Sequence, residues 1–282
     1  MINLKLFNFD NRQLITYMKQ QTNNQQLTTN NQTYSILGCG WLGFPLAESC
    51  IADGIQIKGS TTSSEKITLF KEAGIIPYQI NIDKKEDFSD FLNSDVLLIM
   101  ITSKSYEAYE NLVTQIENSS VKKVIFISST SVYPRGNKEY TEEDETIDNL
   151  LARVEQLFIQ NKNFATTIIR FAGLYGGKRH PGNWFKERKI PQPNGFVNMI
   201  HREDCIQIIK TIIKKDVFGE VFNACSNHHP TRKEYYIQAR KSLNKPAPEF
   251  EEPETLVYKK INPAKLIARL DYEFIHPDLL NF

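Results

Sequence analysis

Three glycines, Gly38, Gly40 and Gly43, stand at GxGxxG spacing within YSILGCGWLGFPL, residues 34–46. The apolar positions Tyr34, Ile36 and Leu37 run into them, and a helical pattern ending at Gly54 follows. Strand, glycine turn and helix in that order bring main-chain N–H groups and a helix N-terminus to one point, where the pyrophosphate of a dinucleotide can bind. Gly38 allows the tight turn, Gly40 lets phosphates approach the main chain, and Gly43 lets the helix sit close on the strand. With context on both sides, the motif predicts binding of NAD or NADP, and Trp41 and Leu42 fall inside the predicted cofactor site. Thr102, after the strand read at residues 95–101, and Ser128, at the end of the strand read at residues 121–128, are further predicted cofactor contacts.

Which dinucleotide is bound depends on the end of the second strand. An NAD site places an Asp or Glu there to accept from the ribose hydroxyls. Here the sequence is Lys58, Gly59, Ser60, Thr61, Thr62, Ser63, with no acid. Hydroxyls at Ser60, Thr61 and Thr62, with Lys58 and Lys66 nearby, suit a 2′-phosphate better, so NADP is the preferred expectation. The alternative is that these residues cap the next helix, with Thr62 and Glu65 as a capping box.

The elements that hold these residues alternate strand and helix from Tyr34 onward, which predicts a parallel sheet covered on both faces. Strands are expected at residues 55–58, 95–101, 121–128, 166–169 and 220–223. Helices are expected at 105–118, 148–160 and 203–214, with another opened by a capping box of Thr231 and Glu234. Prolines at 181, 191, 193, 246, 248 and 253 break the last third into loops. The reading is an α/β fold, a Rossmann-type doubly wound parallel sheet with a small C-terminal substrate lobe. The dinucleotide-binding core is placed at 33–170, and the lobe, interleaved with the last core elements, at 171–282. Residues 1–32, rich in Asn and Gln, read as a polar, disordered leader, with Met18 as an alternative start.

Composition narrows the class further. In 282 residues, 34 Lys and Arg face 33 Asp and Glu, so no global field argues for nucleic acid or a membrane surface. No apolar run is long enough to span a bilayer. The four cysteines are scattered without paired spacing, which suits a reduced cytoplasm, and the oligomeric state is left open. Cys225, His228 and His229 have metal-ligand chemistry, but adjacent histidines rarely converge on one ion, so no metal is expected.

Three later segments narrow the fold: FISSTSVYP at 126–134, RFAGLYGG at 170–177 and NMIHREDC at 198–205. In this order after a GxGxxG they resemble the extended and atypical short-chain dehydrogenases/reductases, the NAD(P)-dependent epimerase/dehydratase-like proteins. The segments GEVFNACSNHHPTRKEYY at 219–236 and KKINPAKLIARLDYEFIHPD at 259–278 resemble one atypical branch of that family. The resemblance covers nearly everything from Tyr34 onward. It implies that Ser129 is the active-site hydroxyl beside the nicotinamide, hydrogen-bonded to a substrate carbonyl or hydroxyl. The family's acid/base pair is a Tyr and a Lys spaced YxxxK on the following helix. Alignment through Glu155, Gln156 and Leu157 puts Ile147 and Leu151 at those places, and none of the twelve tyrosines begins a YxxxK.

Several residues carry two readings. Tyr133 is a candidate substitute acid, or a packing residue at the strand end. His201 and Asp204 line the cleft or buttress the substrate lobe. The basic run of Lys178, Arg179, His180, Lys186, Arg188 and Lys189 holds a phosphorylated substrate or is a solvated loop. The chain is thus expected to be an NADP-dependent oxidoreductase or epimerase for a small carbonyl or sugar-like substrate, lacking the usual Tyr/Lys couple. The alternative is a non-catalytic dinucleotide sensor or scaffold. A β-hydroxyacid dehydrogenase would need a long all-helical second half, which this sequence lacks.

Overall fold

The computed structural model describes residues 32–185 and 188–282. The leader expected at 1–32 therefore lies, but for Gln32, outside the described residues, as does Lys186. Among the described residues, eleven strands and seven α-helices follow in chain order. They begin with β1 (Thr33–Leu37), α1 (Gly43–Ala52), β2 (Gln56–Thr61), α2 (Lys66–Glu72), β3 (Ile76–Gln79), β4 (Val96–Ile99) and α3 (Tyr106–Glu117). Next come β5 (Lys123–Ser129), β6 (Glu139–Tyr140), α4 (Leu150–Ile159), β7 (Ala165–Phe171), β8 (Gly173–Tyr175) and β9 (Met199–His201). The chain ends with α5 (Arg202–Lys214), β10 (Val221–Ala224), α6 (Arg232–Lys241), β11 (Lys260–Ile261) and α7 (Ala264–Leu270).

Seven strands form one parallel sheet in the order β10-β7-β5-β4-β1-β2-β3. This is the Rossmann-type doubly wound arrangement, with strand order reversing between β1 and β4. Both faces are buried, which is why β4 and β5 read as continuous apolar runs. Ile36, Leu98, Ile125 and Phe222 pack on one face with Leu46 of α1 and Ile208 of α5. Leu37, Leu97, Val124 and Phe126 pack on the other with Leu112 of α3 and Phe158 of α4. Beyond β7 the chain forms the two-stranded pair β8/β9, returns to the sheet as β10, and sends β11 to pair with β6. Among the described residues no helix is long and apolar enough to cross a membrane.

Two local expectations are corrected. The second strand does not stop at Lys58 but runs to Thr61, because pairing with β3 continues to Thr61 opposite Gln79 and Ile80 donates to the Thr61 carbonyl. The capping box of Thr62 and Glu65 does not form. Glu65 itself is the residue before α2, without a side-chain cap, and Thr62 is left exposed. β3 escaped the sequence reading because it is a short edge strand carrying Pro77, which periodicity reads poorly. The second capping box is present, with Thr231 and Glu234 satisfying each other's main-chain N–H.

Candidate functional site: two cavities along one sheet edge

The carboxyl ends of the strands carry the site. After β1 the chain turns through Gly38, whose φ is +100°; a Cβ there would lie 2.8 Å from both the Met100 carbonyl and Ile101 Cγ2. A Cβ on Gly43 would meet the Gly38 carbonyl oxygen at 2.5 Å, so this glycine sets the closeness of α1 to the turn. Gly40 has nothing within 4 Å of the corresponding position and is open to a ligand. Leu42 is buried and anchors the start of α1. The end of β2 fastens the turn: Ser60 Oγ accepts from Gly38 N at 2.9 Å and the Ser60 carbonyl accepts from Cys39 N at 2.9 Å. Ser60 thus has a structural duty beside the contact expected of it. Gly59 went unremarked in the sequence. Its missing side chain makes room for Cys39 Sγ, 2.8 Å from where a Cβ would stand, and burial pushes that thiol up to about 12.

A cavity of about 300 Å³ opens beside this turn. It is lined by the predicted residues Gly38, Gly40, Ser60, Thr61, Thr62 and Thr102, and by Lys66. No acid stands at the end of β2. The single carboxylate among the described lining residues, Asp83, follows β3 and accepts from Ser103 Oγ. Lys58 does not belong here. It is buried, and its ammonium donates to the carbonyls of Asp90 and Asn93, toward the opposite end of the sheet. Its place three residues before the end of β2 and its fixed partners therefore remove it from the 2′-phosphate site, which leaves Lys66 as the lysine of the pair.

The second cavity, about 490 Å³, lies at the ends of β5 and β7 and is lined by Ser129, Thr130, Tyr133, Arg135, Ile147 and Lys259 among others. Ser129 is half-buried; its Oγ accepts from Ser131 N at 3.1 Å and keeps its proton for another acceptor. Ile147, 40% exposed, presents a hydrocarbon surface to the same space. Lys259 Nζ donates to the carbonyls of Thr130 at 2.7 Å and Tyr133 at 3.0 Å, and burial, with Arg135 nearby, lowers its pKa. An adjoining cavity of about 250 Å³ shares Thr130, Arg135 and Lys259, adds Arg232, Phe196 and Tyr258, and has no carboxylate among its described lining residues.

Behind Ser129 is a polar cluster that the sequence did not disclose. Arg170 and Glu155, both buried, form a two-pronged ion pair with N···O distances of 2.7–3.1 Å. Arg170 also donates to the Tyr133 hydroxyl at 2.7 Å, which in turn donates to Asn223 Oδ1 at 2.9 Å. The hydroxyl of Tyr133, a candidate acid in the sequence, is thereby held between Arg170 and Asn223, and burial raises its pKa. Ser128, expected at the cofactor, points inward instead and donates to Glu155 Oε1. The one signal in the sequence was Arg170, the single charged residue of β7, whereas Glu155 shares α4 with Arg153.

His201, Glu203 and His276 bring three potential ligand atoms within 4.8 Å of one another. His276 Nε2 lies 2.8 Å from Glu203 Oε2, while His201 Nδ1 accepts from Glu203 N as the cap of α5. The neighbouring Arg202 and the positive helix end oppose a cation here. With buried Asp204 accepting from Tyr272, Ile275 and His276, the cluster ties the C-terminal segment to α5. The trio of Cys225, His228 and His229 does not assemble: Cys225 Sγ faces the Met199 carbonyl, His228 pairs with Asp278 and His229 with the Val197 carbonyl.

Residues 33–150 match the profile of the NAD binding domain of 6-phosphogluconate dehydrogenase, so this part of the chain is an NAD-binding Rossmann domain. Protein YeeZ of Escherichia coli (strain K12) is 29% identical over 267 residues, covering 87% of this chain and 97% of its own. Among solved structures, UDP-glucuronic acid 4-epimerase from Bacillus cereus in complex with NAD superposes with a TM-score of 0.72 at 16% identity, over 88% of this chain and 93% of that one. The dTDP-glucose 4,6-dehydratase from Bacillus anthracis in complex with NAD gives 0.72 at 16% identity, over 88% and 94%. At such identities these structures establish the shared fold.

Proposed function

We propose that the protein is an NADP-dependent oxidoreductase or epimerase acting on a small, anionic, carbonyl-bearing or sugar-like substrate. The observation that carries this reading is the arrangement of two cavities along one sheet edge. One lies at an open glycine turn with the hydroxyls of Thr61 and Thr62 beside Lys66, and the other at the free hydroxyl of Ser129. Hydride would pass between nicotinamide C4 and a substrate carbon set against Ser129, whose hydroxyl would polarise the oxygen. Arg135, Arg232 and Lys259 in the adjoining cavity favour a carboxylate or phosphate on the substrate. That solved structures of this fold hold NAD beside nucleotide-sugar chemistry agrees with the reading. The YxxxK couple is taken to be missing, with Ile147 and Leu151 in its place.

A second reading, a dinucleotide sensor without chemistry, is favoured by Ile147, which puts hydrocarbon where a proton donor would be useful. A screen of NADPH oxidation against phosphorylated and acidic carbonyl compounds separates the two. Turnover dependent on one class establishes the enzyme. Tight NADPH binding with no turnover across the panel favours the sensor.

A further inference from the structure

Trp41, in the glycine turn, has a guanidinium against its indole from each of two substrate-side segments. Arg179 Cζ lies 4.3 Å from the ring centroid and Arg202 Cζ 5.3 Å. Arg179 is presented by a tight reversal in which Gly176 N donates to the Arg179 carbonyl at 3.1 Å and Arg179 N to the Gly176 carbonyl at 3.0 Å. Gly176 and Gly177, at φ +106° and +53°, make that reversal possible. Gly177 has a second purpose: a Cβ there would lie 2.8 Å from the Arg202 guanidinium, so its absence is the space the guanidinium fills.

This cationic pair is electrostatically incomplete. Among the described residues the arginine ion pairs belong to Arg153, Arg170 and Arg269, not to Arg179 or Arg202. Arg202 also occupies the first turn of α5, where the helix dipole disfavours a cation. Trp41 Nε1 is buried without an acceptor. Two like charges and an unpaired donor lack the same thing, an anion. Gly40, the open position of the turn, is the neighbour of Trp41 in the chain.

We propose that Arg179 and Arg202 clamp the dinucleotide pyrophosphate from the substrate side, opposite the main-chain N–H groups of the turn. The clamp rests on the dinucleotide reading above. A guanidinium fork matches two phosphate oxygens, and the indole is a surface on which both groups wait at low cost until the anion draws them in. The cofactor then becomes a bridge between the Rossmann core and the segments after β8 and β9. Of the basic run at 178–189, Arg179 is thereby committed to the cofactor, not to a phosphate on the substrate.

The test is calorimetric titration of NADPH, NADH and ADP-ribose into the full chain and into Arg179→Gln and Arg202→Gln, with circular dichroism confirming that each variant is folded. Each substitution is expected to weaken all three ligands by a common factor of about tenfold, because the pyrophosphate is common to the three whereas the 2′-phosphate and the nicotinamide are not. Loss confined to NADPH would place the guanidiniums on the 2′-phosphate and overturn the clamp. Unchanged affinities in both variants, the result for arginines serving a substrate phosphate or solvent, would also overturn it. If the unaltered chain binds none of the three, the dinucleotide reading fails and the clamp with it. If the unaltered chain binds and the variants bind equally well, only the clamp fails.

Discussion

At the ends of β1 to β4 the cavity wall is built around an open glycine turn and short hydroxyl side chains, whereas at the ends of β5 and β7 it includes Tyr133, Arg135 and Lys259 in front of a buried ion pair. The first wall works through what is missing. Gly38 and Gly43 have no Cβ to block the turn, and Gly40 leaves open space. The second works through what is fixed: Glu155, Arg170, Tyr133 and Asn223 hold one another and thereby the strand end that bears Ser129. A wall of backbone suits a ligand common to many reactions. A wall of oriented side chains suits one chemistry, and that is where substitutions should separate stability from activity.

The largest effect tests the support of the second wall. Glu155→Ala strands the Arg170 guanidinium in the interior, and the expected loss is about 3–5 kcal/mol of unfolding free energy. Urea denaturation measures it. A loss under about 1 kcal/mol would mean that the cluster does not hold β5 and β7 together.

Next come the two hydroxyls at that strand end. Ser129→Ala should leave the melting temperature nearly unchanged while lowering turnover by roughly a hundred-fold, about 3 kcal/mol in the barrier. Tyr133→Phe should do the reverse, costing about 1–2 kcal/mol of stability by leaving Arg170 and Asn223 short of a partner, with turnover close to normal. Kinetics on a substrate found in the NADPH screen, with thermal melts alongside, would show the opposite pattern if Tyr133 were the acid.

How much of this was legible follows from what each region is made of. Glycine spacing is read directly from a sequence, so the turn was legible, and Thr61, Thr62 and Thr102, named from the strand ends, line the cavity beside it. Lys58 was misplaced because β2 runs three residues further than its apolar pattern suggests, which sets Lys58 back from the strand end. The Glu155–Arg170 pair was not seen, because its partners come from α4 and β7 and meet only after the sheet forms. Ser128 and Ser129 are adjacent and chemically alike. Only the pleat decides that one faces the ion pair and the other the cavity.

A smaller effect concerns the choice of dinucleotide at the first wall. Lys66→Ala should reduce NADPH affinity by about three- to tenfold and leave NADH unaffected, since an exposed ammonium near a 2′-phosphate contributes roughly 1 kcal/mol. Paired titrations check this, and equal losses for both cofactors would remove Lys66 from the 2′-phosphate.

The smallest effect is at the cap of α5. Burial first, then the neighbouring His276, lowers the pKa of His201 below its ordinary 6.5. A lowered folded value means that unprotonated His201 favours the fold: its contribution is complete above about 6.5 and is lost as the pH falls through the folded value. Melting temperature should therefore drop between about pH 7 and about pH 5. His201→Asn, which keeps a capping oxygen, should flatten part of that slope. An unchanged slope would assign it to His180 and His229, whose values burial also lowers.

The central claim is that the open face of the glycine turn receives the dinucleotide, and Gly40→Asp tests it most directly. The added carboxylate has room, so the fold should survive, but it would stand where the pyrophosphate must approach. Titration of NADPH into the folded variant should show no measurable binding beside clear binding by the unaltered chain. Equal affinity in the two would contradict the account and place the dinucleotide elsewhere on the molecule.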